Sequence, residues 1–227
     1  MPIINATTKS TKDGLGIATK QTTTIQVQSP TIEILIGGPY QSNGKEHPYG
    51  HVALRVVTPT DEHVYDFGRY NGETGPYGQG RLRVWTTLKK YIAGENATGR
   101  MTTSFAYHVP AASAANVNAH FKSLIGNRPV LKAYGDYMKE YRLAEDYHAL
   151  NNNCATTAMA GARVAIRDLD FDVPKFNKGE GMSGAEQFAA KVAGWPSRIF
   201  MPADLKKMLE SNPHRRPNKV EKFGGAK

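Results

Sequence analysis

The sequence predicts an α+β domain, in which helices pack on a small antiparallel sheet. Short stretches rich in β-branched and aromatic residues, bounded by glycine or proline, are typical of strands and come first along the chain. Stretches with apolar residues at helical spacing follow them. The chain of 227 residues is long enough for one substantial core, and it contains no internal repeat.

Two of the predicted strands form a hairpin. It runs from the strand that His51 opens, through a turn at 58–61, into the strand at 63–67. A four-residue loop at 57–60 sets the predicted pairing of the two strands. Glycine or proline ends the neighbouring strands, as at Gly37 and Pro110. In chain order, the predicted strands are 31–36, 51–57, 63–67, 81–85 and 103–109.

Helices are predicted mainly in the second half of the chain. Phe121 and Leu124 lie at helical spacing on one face of the first of them. Ser183 and Glu186 have the spacing of a capping box, and Pro202 suits a first helical turn. The predicted helices cover 111–125 and 132–143, begin at Cys154, extend from 183 to about 193, and begin again at 202.

Composition divides the chain into three parts. Residues 1–28 are rich in Thr, Lys and Gln and predict a flexible or edge-pairing leader. Residues 29–212 form the predicted domain. Residues 213–227 are basic, contain Gly and Pro, and predict a disordered tail.

The charge balance favours anionic partners. The chain has 29 Lys and Arg against 20 Asp and Glu, which gives a formal charge of +9. Without a nucleic-acid-binding signature or a phosphate-binding glycine loop, we expect no nucleic-acid partner. No apolar run is long enough for a membrane span, and the start of the chain lacks the features of a secretory signal. We therefore expect a protein made in the cytoplasm.

Cys154 is the strongest candidate for a catalytic residue. It is the only cysteine, it follows three asparagines, and it opens an alanine-rich helical stretch. The helix dipole lowers the pKa of a thiol at a helix N-terminus and increases its thiolate fraction. The alternative is that Cys154 is a small buried hydrophobic residue.

A histidine and a carboxylate could complete the site. His51 opens a β-branched strand, so its imidazole is a candidate general base. With the loop at 57–60, Val56 lies opposite Asp61 and Asp66 lies opposite His51, on the same face. Asp66 would then orient the imidazole. A later loop would make His63 the third residue instead, and Asp66 could also simply pair with Arg69.

Further residues near this site have several interpretations. The glycine-rich segment 68–80 predicts a loop over or beside the site. The backbone N–H of Cys154 could stabilise an oxyanion. Asn152, Asn153 and Tyr49 are candidates for a second donor, although each also suits a capping or packing role. The remaining histidines lack companions at metal-ligand spacing, so we expect neither a metal nor a cofactor.

Three segments carry a resemblance to a known family. They are 49–54 (YGHVAL), 64–70 (VYDFGRY) and 152–154 (NNC). They resemble the circularly permuted NlpC-like branch of the papain superfamily, over about residues 30–167. This branch includes cell-wall amidases and endopeptidases and relatives of lecithin:retinol acyltransferase. The resemblance implies a permuted papain-like fold, with Cys154 as nucleophile, His51 as base and Asp66 as the orienting residue. Many relatives have histidine in the third place, which keeps His63 as an alternative.

The resemblance also implies a function. It favours a cysteine hydrolase that cleaves amide bonds of peptidoglycan peptides, as an antibacterial effector delivered by a type VI-like secretion system into the periplasm of a target cell. Its partners would then be a peptidoglycan peptide substrate, an immunity protein and a component of the secretion apparatus. Alternatives are a lipid acyl hydrolase or acyltransferase of the same fold and a non-catalytic envelope-binding module.

Overall fold

The computed structural model describes residues 29–42, 45–70 and 72–224, together with the backbone of short strands before them. This part of the chain is α+β, with an eight-stranded antiparallel sheet and six helices. The strands are β1 (Thr31–Gly37), β2 (His51–Val57), β3 (Glu62–Gly68), β4 (Arg81–Trp85), β5 (Thr102–His108), β6 (Lys132–Tyr134), β7 (Met138–Arg142) and β8 (Lys219–Phe223). Their order across the sheet is β6-β7-β4-β3-β2-β1-β5-β8.

The helices cover both faces of this sheet. They are α1 (Leu88–Ala97), α2 (Ala111–Ile125), α3 (Cys154–Ala165), α4 (Val173–Phe176), α5 (Gly184–Val192) and α6 (Pro202–Ser211). Four two-stranded ladders lie outside the sheet: Ile3–Ala6 with Thr23–Gln26, Thr11–Lys12 with Ala18–Thr19, Tyr40–Ser42 with Lys45–His47, and Tyr77–Gly78 with Tyr147–His148. The predicted leader, 1–28, otherwise falls outside the described residues.

The larger core lies between the sheet and helices α2, α3 and α6. Alternate residues of β2, among them Val52, Leu54 and Val56, face this side. The intervening Ala53 faces the other side and packs with Tyr91 and Ile92 of α1. Because both faces of the central strands are covered, these strands are buried along most of their length.

Helix α3 approaches the sheet closely at Gly161. A Cβ atom there would lie 2.5 Å from the Phe121 ring and 2.9 Å from Leu54. Substitution by a larger residue would push the helix away from β2, at a cost of about 1–3 kcal/mol for overpacking. This glycine therefore helps to set the height of α3, and of Cys154 at its start, above the sheet.

The hairpin of β2 and β3 has a different register from the predicted one. Val56 lies opposite His63 and Leu54 opposite Tyr65, and the loop is 58–61, closed by a 2.8 Å hydrogen bond from Thr58 N to Asp61 O. The predicted pairing was thus wrong by two residues. A shift of two leaves every side chain on the same face, because the side-chain period of a strand is two.

The predicted helix at 132–143 is wrong, because this segment forms β6 and β7. Gly135, with φ of +53°, makes the turn between them. Met138 and Glu140 of β7 are buried and the intervening Lys139 is exposed, which is the period of a strand rather than of a helix. Glu140 accepts hydrogen bonds of 2.8 Å from Arg81 and Arg83 of β4, so the buried charge is paired.

The predicted small sheet and disordered tail also need correction. Residues 219–223 of the basic tail form β8, which pairs along β5 from Thr102 to Ala106. The ladder of backbone hydrogen bonds orders this segment regardless of its charged composition. With β6, β7 and β8 the sheet has eight strands among the described residues.

Several predicted elements are confirmed. Helix α2 has the predicted bounds, Ser183 and Glu186 form a capping box at the start of α5, and α6 begins at Pro202. The five predicted strands agree with β1 to β5 to within one residue at every end. Helix α1 was not predicted, and Thr87 caps it by accepting a hydrogen bond from Lys90 N.

Candidate active site

Cys154 is the first residue of α3. The Asn153 side chain caps the helix by accepting a 3.0 Å hydrogen bond from Thr156 N, while Thr156 Oγ1 accepts from Asn153 N. The thiol-bearing residue is 8% exposed, at the edge of the larger core. The sequence around Cys154 therefore places a nearly buried sulfur at the positive end of a helix dipole.

His51 is the first residue of β2, and Gly50 sets the path of the chain into it. Gly50 has φ of +69°, and a Cβ atom there would lie 2.5 Å from Gly37 O. Both the left-handed conformation and the close approach require glycine. The glycine before His51 thus has a structural reason that is independent of chemistry.

The structure brings His51 and Asp66 together. His51 Nε2 lies 2.5 Å from Asp66 Oδ1, and both side chains are largely buried. A carboxylate accepts a hydrogen bond, so Nε2 carries a proton in this pair. This leaves Nδ1 of the imidazole for the Cys154 thiol.

Asp66 is held by more than His51. Tyr70 Oη donates a 2.5 Å hydrogen bond to Oδ1, and Trp85 Nε1 donates a 3.4 Å hydrogen bond to Oδ2. The Arg83 guanidinium lies over the Tyr70 ring, 3.5 Å from its centroid. The contacts therefore keep the carboxylate pointed at His51 and its charge satisfied.

The three groups change each other's pKa values. Burial would raise the pKa of the Cys154 thiol, but the positive charge and hydrogen bond of His51, together with the backbone N–H of Val52, lower it below the ordinary 9.0. Burial would lower the pKa of His51, but the charges of Asp66 and Cys154 raise it to about 10. Burial also opposes ionisation of Asp66, and the His51 charge overcomes this and lowers its pKa. The site favours a thiolate beside an imidazolium.

His63, the alternative third residue, and Arg69, the alternative partner of Asp66, lie in surroundings different from those of the His51–Asp66 pair. His63 lies on the core side of β3, stacked 5.9 Å from Tyr65, and its Nδ1 is buried without a hydrogen-bond partner among the described residues. Burial lowers its pKa. Arg69 does not pair with Asp66; its guanidinium lies 4.8 Å from the centroid of the Tyr147 ring. Of the candidates, Asp66 alone contacts His51.

The candidate oxyanion donors differ in whether they already donate a hydrogen bond within the protein. The Cys154 N–H is the first of its helix, so it has no intrahelical acceptor. Asn153 Nδ2 donates to Ala149 O and Phe200 O, and Asn152 Nδ2 donates to Asp146 O. Tyr49 Oη donates to Glu186. The three predicted alternatives for a second donor are thus engaged elsewhere.

A cleft of about 450 Å³ lies against the thiol. One wall comes from the glycine-rich segment through Gly75, Pro76 and Tyr77, so that segment does lie beside the site. The opposite wall comes from α5 and the segment before α6. It is largely apolar, with Met182, Ala189, Ala190, Phe200, Met201 and Pro202. A larger hollow, of about 610 Å³ around Trp195, does not include the thiol.

Sequence reasoning missed several residues of this site. Around Asp66, Tyr70 follows β3 while Arg83 and Trp85 lie on β4, so no single local motif joins the three residues. Tyr70 lies in the glycine-rich segment 68–80, whose sequence carries no regular pattern that would indicate which way its side chain points. The alternation of 81–85 was a usable signal, because it places Arg83 and Trp85 on one face of β4.

The comparisons with known proteins returned no match to a family model, a curated protein or a solved structure. The described residues contain no group of three or more His, Cys, Asp or Glu placed to hold a metal ion. Within the same part of the chain, no helix is long and apolar enough to cross a membrane.

Proposed function

We propose that the protein is a cysteine hydrolase in which Cys154 is the nucleophile, His51 the general base and acid, and Asp66 the residue that orients His51. The observation that carries the proposal is the chain of contacts from Asp66 through His51 to a thiol whose pKa is lowered. A purely structural cysteine has no need of a buried imidazole and carboxylate beside it.

The proposed reaction proceeds in two steps. The Cys154 thiolate attacks a carbonyl carbon in the cleft, the carbonyl π electrons move to oxygen, and the Cys154 N–H stabilises the oxyanion. Collapse breaks the bond to the leaving group, which takes the proton from His51 Nδ1. A water then gives its proton to His51 and attacks the thioester, and the thiolate leaves with release of the acid.

The substrate we propose is an amide bond of a peptidoglycan peptide. Support comes from the resemblance of the segments around His51, Asp66 and Cys154 to the NlpC-like branch, and from their order, with the histidine before the cysteine, as in a permuted papain-like fold. The net charge of +9 suits the anionic polymers of a cell envelope. As part of the same proposal, the protein is an antibacterial effector of a type VI-like system with an immunity protein as partner.

A second candidate is hydrolysis or transfer of a lipid acyl group by the same thiol. The apolar wall from α5 and Phe200 favours it, because such a surface can hold an acyl chain. The thioester intermediate is the same, and only the bond that is cleaved differs.

Digestion of purified sacculi tests the proposal directly. We expect the wild-type protein to release peptide fragments whose masses show a hydrolysed amide, and Cys154→Ala to release none while keeping its circular dichroism and melting temperature. Turnover of acyl esters with no release from sacculi would favour the lipid substrate. Activity retained in Cys154→Ala would contradict a thiol mechanism.

Expression in two compartments tests the site of action. Wall peptides lie outside the inner membrane, so we expect bacteria to tolerate the protein in the cytoplasm and to lyse when an added export signal directs it to the periplasm. Lysis should require Cys154. Equal killing from the cytoplasm would contradict a wall substrate, and growth curves with live-cell counts measure the difference.

A further inference from the structure

Arg69 brings a positive charge into the cleft beside Cys154. It follows β3 directly and lines the cleft together with the thiol. Among the described residues that line the cleft, it is the only Lys or Arg. His148, also in the lining, accepts hydrogen bonds at Nδ1 from Leu150 N and Asn151 N at 3.2 and 3.3 Å.

The charge of Arg69 has no carboxylate partner in the described part of the chain. Its Nη1 is buried and without a hydrogen-bond partner there. The carboxylate that lines the cleft, Glu186, accepts hydrogen bonds from Tyr49, from Ser183 N at 2.7 Å and from Ser183 Oγ at 2.8 Å. Arginine charges that are partly buried are normally paired with a carboxylate, so a half-buried Arg69 that lines the cleft without one calls for an explanation.

The contact between Arg69 and Tyr147 supplies only part of that explanation. The aromatic ring attracts the cation and the Tyr147 hydroxyl accepts a hydrogen bond from Arg69, but neither carries the full negative charge of a carboxylate. The in-plane N–H groups of arginine match the two oxygens of a carboxylate. A carboxylate bound in the cleft would balance the charge of Arg69, and Tyr147 would hold the guanidinium in position.

We propose that Arg69 binds a free carboxylate of a peptide substrate and thereby selects peptides with a carboxylate close to the bond that Cys154 cleaves. This inference deepens the proposed hydrolase function and rests on it for the role of Cys154. It assigns Arg69 to substrate binding rather than to the chemical steps. A neutral substrate of the same shape would leave the cation of the cleft uncompensated.

Two small alkylating reagents test the inference without knowledge of the substrate. Iodoacetate and iodoacetamide both react at Cys154 by forming an S–C bond and releasing iodide, but only iodoacetate carries a carboxylate. The measured quantity is the ratio of the two second-order rate constants, obtained from the mass of the intact protein over time. The ratio cancels changes in thiol reactivity that affect both reagents equally.

We expect Arg69→Gln to lower the iodoacetate-to-iodoacetamide ratio roughly tenfold, the loss of one charge-assisted hydrogen bond, while Arg69→Lys keeps most of it. The matched control is Arg216→Gln, which removes the same charge from an exposed position outside the cleft lining. An equal fall in Arg216→Gln, or an unchanged ratio in Arg69→Gln, would overturn the proposal. If Arg69 served only to anchor its loop, both rate constants would change together.

A second measurement separates this inference from the proposed function. A thiol that reacts with neither reagent contradicts the hydrolase proposal but not carboxylate binding. Thermal unfolding is then followed with N-acetylglutamate and with its uncharged analogue N-acetylglutaminamide, since a ligand of the native state raises the melting temperature. We expect stabilisation by the carboxylate alone, and its loss in Arg69→Gln. Equal shifts with both compounds would refute carboxylate binding.

Discussion

The two ends of the β2–β3 hairpin contain similar residues in different surroundings. At the open end, His51 and Asp66 pair with each other beside the thiol. At the turn end, His63 lies opposite Val56, five residues and about 16 Å along the strand from His51. Both ends thus have a histidine with carboxylates nearby in the sequence, and only one end contacts Cys154.

The turn end is a closed electrostatic network. Arg55 donates to Glu33 and, at 3.1 Å, to Glu62, and Ser104 Oγ donates to Glu33 at 3.0 Å. These groups lie on the opposite face of the sheet from His63, whose ring stacks on Tyr65. The two histidines therefore differ in their surroundings because of the face of the sheet on which each lies and its distance from Cys154, and not because of residue type.

Among substitutions in the hairpin, replacement of His51 should have the largest effect on turnover. We expect His51→Ala to lower turnover roughly a thousandfold, because the thiol loses both its base and its charge partner. The same change should raise the pKa of Cys154 toward its ordinary value, so its alkylation by iodoacetamide should shift to higher pH. An alkylation profile that did not shift would mean that the two side chains do not interact.

Substitution of Asp66 should have the next largest effect and should alter the pH profile. Turnover requires thiolate and imidazolium together, so its rate should fall at low pH as Cys154 becomes protonated and at high pH as His51, with its pKa raised to about 10, loses its proton. Asp66→Asn removes a charge that raises the pKa of His51. We expect a roughly hundredfold loss of turnover and an alkaline limb at lower pH; an unchanged alkaline limb would contradict the role of Asp66.

Tyr70 should have a smaller effect on turnover than Asp66, because it acts on His51 through Asp66. We expect Tyr70→Phe to lower turnover roughly tenfold through the loss of one hydrogen bond to a charged group. The charged form of Asp66 then loses the hydrogen bond from Tyr70, so the pKa of Asp66 should rise. NMR of the carboxyl group can follow this titration. Loss of activity without this shift would indicate damage to the fold instead.

His63→Ala should have the smallest effect. Its ring lies partly in the core and makes no contact with the site, so we expect turnover within about twofold of wild type and a change in the free energy of unfolding of about 1 kcal/mol or less. It is the matched control for His51→Ala on the partner strand. Greater damage from His63→Ala than from Asp66→Asn would require the third residue to be reassigned.

Local signals predicted the framework of the candidate site. Asn153 and Cys154 marked the start of α3, and alternation marked β2 and β3. The expectation that Asp66 lies on the face of His51 did not depend on the hairpin loop being placed correctly, because an error of two residues preserves the face. Where alternation was short and a glycine turn lay inside it, as at 132–143, the period was misread and a helix was predicted for two strands.

Local sequence signals are enough to predict which residues open the strand and the helix of the site, since capping, glycine conformation and strand periodicity act over a few neighbouring residues. The contacts of Tyr70 and Trp85 with Asp66, the position of Arg69 in the cleft and the apolar wall from α5 are visible only in the folded chain. These contacts join residues far apart in the chain, and a basic tail became β8 because β5 offered it a backbone ladder. Such contacts depend on how the elements pack together, which no local pattern encodes.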